Sequence, residues 1–172
     1  GAEGKTSVWR PEDAVNASKD EKGKQMTGSG TEISADIGGP FPVEGIFGGR
    51  FFNMIKDKQG MFVSVYFMKH KDEVNSTFDQ HILDMKLQEI KMQSAEINVT
   101  SIMTDADACY IGNKAQEFWT SKGVKQINSV PYQHHQNGAI EIEMRYKVEG
   151  AITNLASSGL PLKLWDAAVL NK

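Results

Sequence analysis

Three carboxylates on separate segments are the residues whose types and placement could do chemistry in this 172-residue chain: Asp36, Asp105 and Glu141. Asp36 falls in the alternating run TEISADI, and Asp105 directly follows the alternating run INVTSIMT. Glu141 stands in the first turn of a helical pattern opened by Asn137-Gly138. Residues 106–140, 35 positions, separate the last two. Three carboxylates converging from separate elements can hold two divalent cations about 4 Å apart, activating an attacking hydroxyl and stabilising a leaving oxygen. Magnesium suits such a set because it takes hard oxygen ligands. Each carboxylate also has a plainer role. Strand-end aspartates are solvated or cap helices, and a helix-start glutamate complements the helix dipole. With 22 acidic residues in the chain, spacing alone favours that plainer role.

The other polar candidates carry less. His134 and His135 sit in the loop PYQHHQNG, where two neighbours are too few for a metal site and face solvent or DNA. His70 reads as a strand end and His81 as part of a helix face. Lys114, Lys122, Lys125, Arg145 and Lys147 could form a local phosphate-binding patch, although taken singly each reads as solvated charge. Trp119 and Trp165 read as packing residues and Cys109 as a small apolar filler. A lone cysteine excludes a disulfide framework and a cysteine-rich zinc site within the chain. The net charge of −3 argues against nucleic-acid binding by bulk attraction, so any basic surface is local. No apolar run approaches the roughly 20 residues of a membrane span. No secretory leader is visible, Gly1-Ala2 without Met reads as a trimmed start, and the sequons at Asn16, Asn75 and Asn98 read as chance.

The elements that must position the carboxylates follow from periodicity. Residues 1–30 are polar and aperiodic, a flexible lead with Val8-Trp9 as a docking spot, ahead of one domain over 31–172. Ile33, Ala35 and Ile37 alternate with polar residues in a strand closed by Gly38-Gly39-Pro40. Residues 50–56 and 61–70 read as a hairpin around Asp57-Lys58-Gln59-Gly60, with the apolar MFVSVYFMKH as a well-buried arm. Val74, Phe78, Ile82 and Met85 mark a helix over 72–93. A strand over 97–103, a helix over 113–122 stopped by Gly123, a strand over 124–128 and helices over 138–157 and 161–170 complete the order. This is an α/β layout in which an antiparallel hairpin begins a mixed sheet.

Four segments, ADIGGPFP, VYFMKHKDEV, PYQHHQNGAIE and LASSGLPLKLWDAAV, stand in an order and spacing that resemble the catalytic core of copia-type LTR-retrotransposon integrases. The resemblance runs from about Gly28 to Leu170 and places the chain in the retroviral integrase and RNase H-like superfamily. In that family the first aspartate precedes a Gly-Pro, as Asp36 precedes Gly38-Gly39-Pro40. The second follows a strand, as Asp105 does, and the glutamate lies three residues beyond an Asn-Gly, as Glu141 does. The resemblance implies an RNase H-like mixed five-stranded sheet with helices packed on it. It also implies a DDE triad of Asp36, Asp105 and Glu141 holding two Mg2+ (or Mn2+) ions for cleavage or strand transfer at DNA phosphodiesters. Weak, salt-sensitive DNA binding, a homodimer through the core and a nuclear or cytoplasmic location go with it. A secreted chain whose leader has been removed stays open, and no membrane partner is implied.

The departures from the family pattern point the other way. Its Asp-Asn-Gly-Gly-Glu-Tyr is here Asp105-Ala106-Asp107-Ala108-Cys109-Tyr110, which loses both glycines and puts an extra carboxylate, Asp107, where the first of them stood. The Arg and Asn that usually follow the glutamate are Ile142 and Met144, with Arg145 keeping a basic residue, and the loop's Pro-Gln-Gln is His134-His135-Gln136. ASKDEKGKQ echoes the end of the family's zinc module, but Ala17 and Asp20 stand where its cysteines belong, so no zinc is expected. These changes support an alternative in which a host or a parasite has co-opted the fold as a non-catalytic module that binds protein partners.

Overall fold

The computed structural model describes residues 32–58, 62–92, 98–105, 107–128 and 138–171. The polar lead with its zinc-module echo, and His134 and His135, lie outside the described residues.

Alternation builds five strands: β1 (Glu32–Gly38), β2 (Phe51–Asp57), β3 (Val63–Met68), β4 (Ser101–Thr104) and β5 (Lys125–Asn128). They form one sheet in the order β3-β2-β1-β4-β5. β1 runs antiparallel to β2 and parallel to β4, β2 is antiparallel to β3, and β4 is parallel to β5. The helices are α1 (Val74–Met92), α2 (Ala108–Ile111), α3 (Asn113–Lys122), α4 (Gly138–Ser158) and α5 (Trp165–Leu170), with 3-10 turns at Lys71–Glu73 and Leu162–Leu164. A mixed five-stranded sheet in this order, covered by helices, is the RNase H-like α/β architecture that the resemblance implied.

The two-residue period of the strands divides the core into two layers. On one face Ile33, Ala35, Ile55 and Ile102 pack against Val74 and Phe78 of α1, Tyr110 of α2, and Ala115 and Trp119 of α3. On the other, Phe52 and Met54 pack against Ile140, Ala151 and Leu155 of α4 and Trp165 and Val169 of α5. Gly123 stops α3 with φ 68°, the left-handed conformation that glycine adopts without a Cβ penalty. Among the described residues no helix is long and apolar enough to cross a membrane.

Three details depart from the sequence reading. MFVSVYFMKH, expected as a well-buried arm, yields the edge strand β3, and Met68 alone of its six residues is buried. An edge strand has one partner, so the continuous buried run lies instead in its neighbour β2, over residues 52–55. The strand expected from residue 97 begins pairing only at Ser101, level with Glu32 and Lys125, where its neighbours start. Helix α2 was not anticipated; Asp107 caps it, its carboxylate accepting from the Cys109 N–H.

The chain that leaves β1 is anchored far along the sequence. Phe41 stacks on Trp165 with ring centroids 3.8 Å apart and planes 7° from parallel. The indole N–H of Trp165 donates to the Val43 carbonyl at 3.1 Å. The buried Asp166 accepts the Phe47 N–H at 2.7 Å through one carboxylate oxygen and the Ala167 N–H at 2.8 Å through the other. Two of the segments that carry the resemblance, ADIGGPFP and LPLKLWDAAV, are thus one packing unit.

Candidate active site

β1 is the central strand and β4 its parallel neighbour. Ser34 pairs with Met103. The ladder ends there: Asp105 directly follows β4, and Asp36, two residues beyond Ser34, is on the same face of β1 as Ser34. That face is the one on which Met54, the partner of Asp36 across β2, packs with Ile140 of α4. Glu141 follows Ile140 in the first turn of the same helix, its side chain exposed. Asp36 thus lies on β1, Asp105 just past the end of β4, and Glu141 in the first turn of α4.

The local backbone after Asp36 depends on glycine. Gly38 lies against the Phe52 ring, where a Cβ would come within 2.4 Å of two ring carbons. Gly39 has φ 109°, and a Cβ there would meet the Arg50 carbonyl oxygen at 2.6 Å. Both positions let the chain fold back tightly beside the carboxylate.

Electrostatics ties the three acids together. The Asp36 carboxyl is pushed up from 3.8 to about 6, first by burial, then by the negative charge of Asp105 and, more weakly, that of Glu141. The Ile37 N–H, donating to Asp36 Oδ1 at 2.8 Å, and the charge of Lys71 oppose the rise. Asp105 is half-buried and accepts the Asp107 N–H at 3.2 Å. Three carboxylates offering only hard oxygens fit a divalent cation in kind. Among the described residues, no three His, Cys, Asp or Glu side chains are grouped as a ready metal-holding set.

Sequence reasoning singled out Asp107 but missed its partner. Lys71, from the KHK segment at the end of the hairpin, places its ammonium 2.6 Å from Asp107 Oδ2. The other oxygen of Asp107 accepts the Cys109 N–H at 3.1 Å. The pair depresses the Asp107 carboxyl and raises the Lys71 ammonium, in both cases chiefly through their mutual hydrogen bond. The neighbouring Cys109 thiol is pushed up to about 12 by burial and by Asp107, which makes it an inert filler, as its composition suggested.

Behind this loop runs a buried polar chain. The Tyr110 hydroxyl donates to Asn53 Oδ1 at 2.9 Å, and Asn53 Nδ2 donates to Thr77 Oγ1 at 2.8 Å. The Thr77 hydroxyl donates to the Val74 carbonyl at 2.6 Å. The chain pins α2, and with it the Asp105–Asp107 turn, to β2 and α1. No periodicity signals it, because its members lie on three elements.

The basic candidates are dispersed. Lys114 and Lys122 stand at opposite ends of α3, about 12 Å apart along its axis. Lys122 pairs with Asp79 of α1 at 2.6 Å and lies over the Phe118 ring. Lys125 is exposed on the edge strand β5, and Arg145 and Lys147 lie on α4. His81, read as a helix-face residue, is buried on α1 with Nδ1 3.2 Å from the Tyr66 hydroxyl, and burial lowers its ring to about 4.

No protein-family model matches the chain. It is similar to a Retrovirus-related Pol polyprotein from transposon TNT 1-94 of Nicotiana tabacum, 25% identical over 137 residues. That match covers 80% of the chain and 10% of the polyprotein. Among solved structures, a chain from the simian T-cell lymphotropic virus intasome in complex with PP2A regulatory subunit B56 gamma superposes with a TM-score of 0.59 at 15% identity. The superposition covers 92% of this chain and 59% of that one. The catalytic core domain of BIV integrase aligns over 82% of each chain with a TM-score of 0.48 and 12% identity. This chain therefore shares the fold of the intasome chain and is, over 80% of its length, a distant homologue of a transposon Pol polyprotein, of which it spans a tenth.

Proposed function

We propose that the chain is an integrase-like core of the DDE type that acts on DNA phosphodiesters, with its chemistry impaired. The observation that supports this reading is electrostatic: the charges of Asp105, just past β4, and of Glu141, at the start of α4, both act on Asp36 of the central strand. In this reading Asp36, Asp105 and Glu141 would hold Mg2+ or Mn2+, which supplies activation of the attacking hydroxyl and stabilisation of the leaving oxygen. The chain's own contribution is positional. β1 and β4 fix two carboxylates against a packed core, and α4 brings the third. DNA binding rests on Lys114, Lys125, Arg145 and Lys147, scattered cations on an acidic chain, so it is weak and falls steeply as salt rises.

Impairment follows from the Asp105 turn. Positions that are Gly-Gly in the family are Asp107-Ala108 here, and Asp107 is committed to capping α2 and pairing with Lys71. A site that must pre-position its carboxylates loses large factors in rate to small displacements. That commitment also favours the second reading, a co-opted binding module that keeps the fold and has lost the chemistry. A strand-transfer assay on short DNA ends with Mg2+ separates the two, run beside Asp105→Ala. The expected result is little or no product from the native chain, and more after Ala106→Asn, Asp107→Gly and Ala108→Gly together. Robust native activity that Asp105→Ala abolishes would refute the impairment. A triple variant as silent as Asp105→Ala would support the binding module.

A further inference from the structure

Lys71 has a position that no part of the integrase reading requires. Its ammonium is fixed 2.6 Å from Asp107, whose backbone N–H in turn binds the carboxylate of Asp105. Its charge reaches Asp36, and the charge of Asp105 reaches it. Both oxygens of Asp107 are engaged: Oδ1 caps α2 and Oδ2 holds Lys71. The pair therefore sets a cation beside the carboxylates. We propose that Lys71 is a tethered counter-ion of the carboxylate site, held there by Asp107, so that a divalent cation binds Asp36, Asp105 and Glu141 in competition with it. This rests on the reading that those three carboxylates are the cation site.

The physical basis is charge alone. A doubly charged ion and an ammonium repel, and with water-like screening a separation of about 6–12 Å corresponds to binding weakened roughly three- to tenfold. Lys71 belongs to a short 3-10 turn whose side chain is partly exposed, so its replacement leaves the core intact.

The test measures Mn2+ affinity from the paramagnetic signal of the free ion, on native chain, Lys71→Gln, Lys71→Arg, Asp105→Asn and the Lys71→Gln/Asp105→Asn double variant. Thermal unfolding checks that each is folded. Lys71→Gln is expected to bind Mn2+ roughly three- to tenfold more tightly than the native chain. Lys71→Arg, which keeps the charge, should match the native chain, and Asp105→Asn should remove the gain. A native chain that binds no Mn2+ while Lys71→Gln does would be the strongest support. Equal affinity of native chain and Lys71→Gln, with weaker binding by Asp105→Asn, would overturn the counter-ion role and leave the carboxylate site standing. Binding indifferent to Asp105→Asn in every background, or absent from all variants, would overturn both.

Discussion

Replacing Asp36 with Asn should stabilise the protein at neutral and alkaline pH and leave it unchanged in acid. Asn is isosteric and keeps an oxygen to accept the Ile37 N–H that Asp36 Oδ1 accepts at 2.8 Å. What it removes is a charge that burial and the nearby Asp105 and Glu141 disfavour. In the folded chain Asp36 ionises at about 6, against an ordinary value of 3.8. Below 3.8 it is protonated in both states, and its contribution to stability is fully present. As pH rises through about 6 that contribution is lost, because the unfolded chain has already released a proton that the folded one gives up with difficulty. Full ionisation costs about 3 kcal/mol on this basis. At about 2–4 °C per kcal/mol, Asp36→Asn should raise the melting temperature at pH 8 by about 6–12 °C. At pH 4 the gain should nearly vanish. Melting curves of both proteins from pH 4 to 8, without divalent cations, provide the assay. A gain that is the same at pH 4 and pH 8, or absent throughout, would refute the raised ionisation of Asp36 that burial and, after it, the neighbouring acids impose.

Trp165→Ala should destabilise the protein by about 3–5 kcal/mol in urea unfolding, since it removes a fully buried ring stacked on Phe41 together with its bond to Val43. Tyr110→Phe should lower stability by about 1–3 kcal/mol, because it strands the buried Asn53 oxygen, and an unchanged urea midpoint would count against the polar chain. Asp107→Ala should lose about 1 kcal/mol of helix capping, with faster amide exchange at Cys109 as its local sign.

The parts of the fold written in short-range alternation were legible in the sequence. Ile33, Ala35 and Ile37 gave β1 its period and placed Asp36 on the opposite side, and Gly123 marked the end of α3 where the backbone turns left-handed. Sheet order was not legible in the same way. MFVSVYFMKH is apolar whether it lies at the centre or the edge, and only its pairing with β2 alone decides that β3 is half-buried. The partners of Asp107 and Trp165 were hidden for a related reason. Lys71 lies 36 residues from Asp107, and Val43 lies 122 residues from Trp165, so neither contact leaves a periodic trace. The candidate acids were picked out through the resemblance rather than by any local pattern. The counter-charge beside them was not, because it depends on a side chain leaving a 3-10 turn on another element.

Asp107 shows why the identity of a substituted residue and its physical effect can differ in sign. Counted along the chain, it adds a negative charge next to Asp105, which would draw a cation or repel a phosphate. In the fold it caps α2 and binds an ammonium, so what it brings to the site is the positive charge of Lys71. Asp107→Gly therefore does two things: it frees the backbone beside Asp105, and it releases Lys71 from its ion pair. If the counter-ion role is correct, the effects of Asp107→Gly and Lys71→Gln on Mn2+ affinity cannot be independent, because both act through the same ammonium. Residues in one ion pair typically show coupling of about 0.5–3 kcal/mol in a double-mutant cycle. Lys71→Gln should thus tighten Mn2+ binding less in the Asp107→Gly background than in the native one. Strict additivity of the two substitutions, within about 0.3 kcal/mol, would mean that Asp107 does not hold Lys71 over the site.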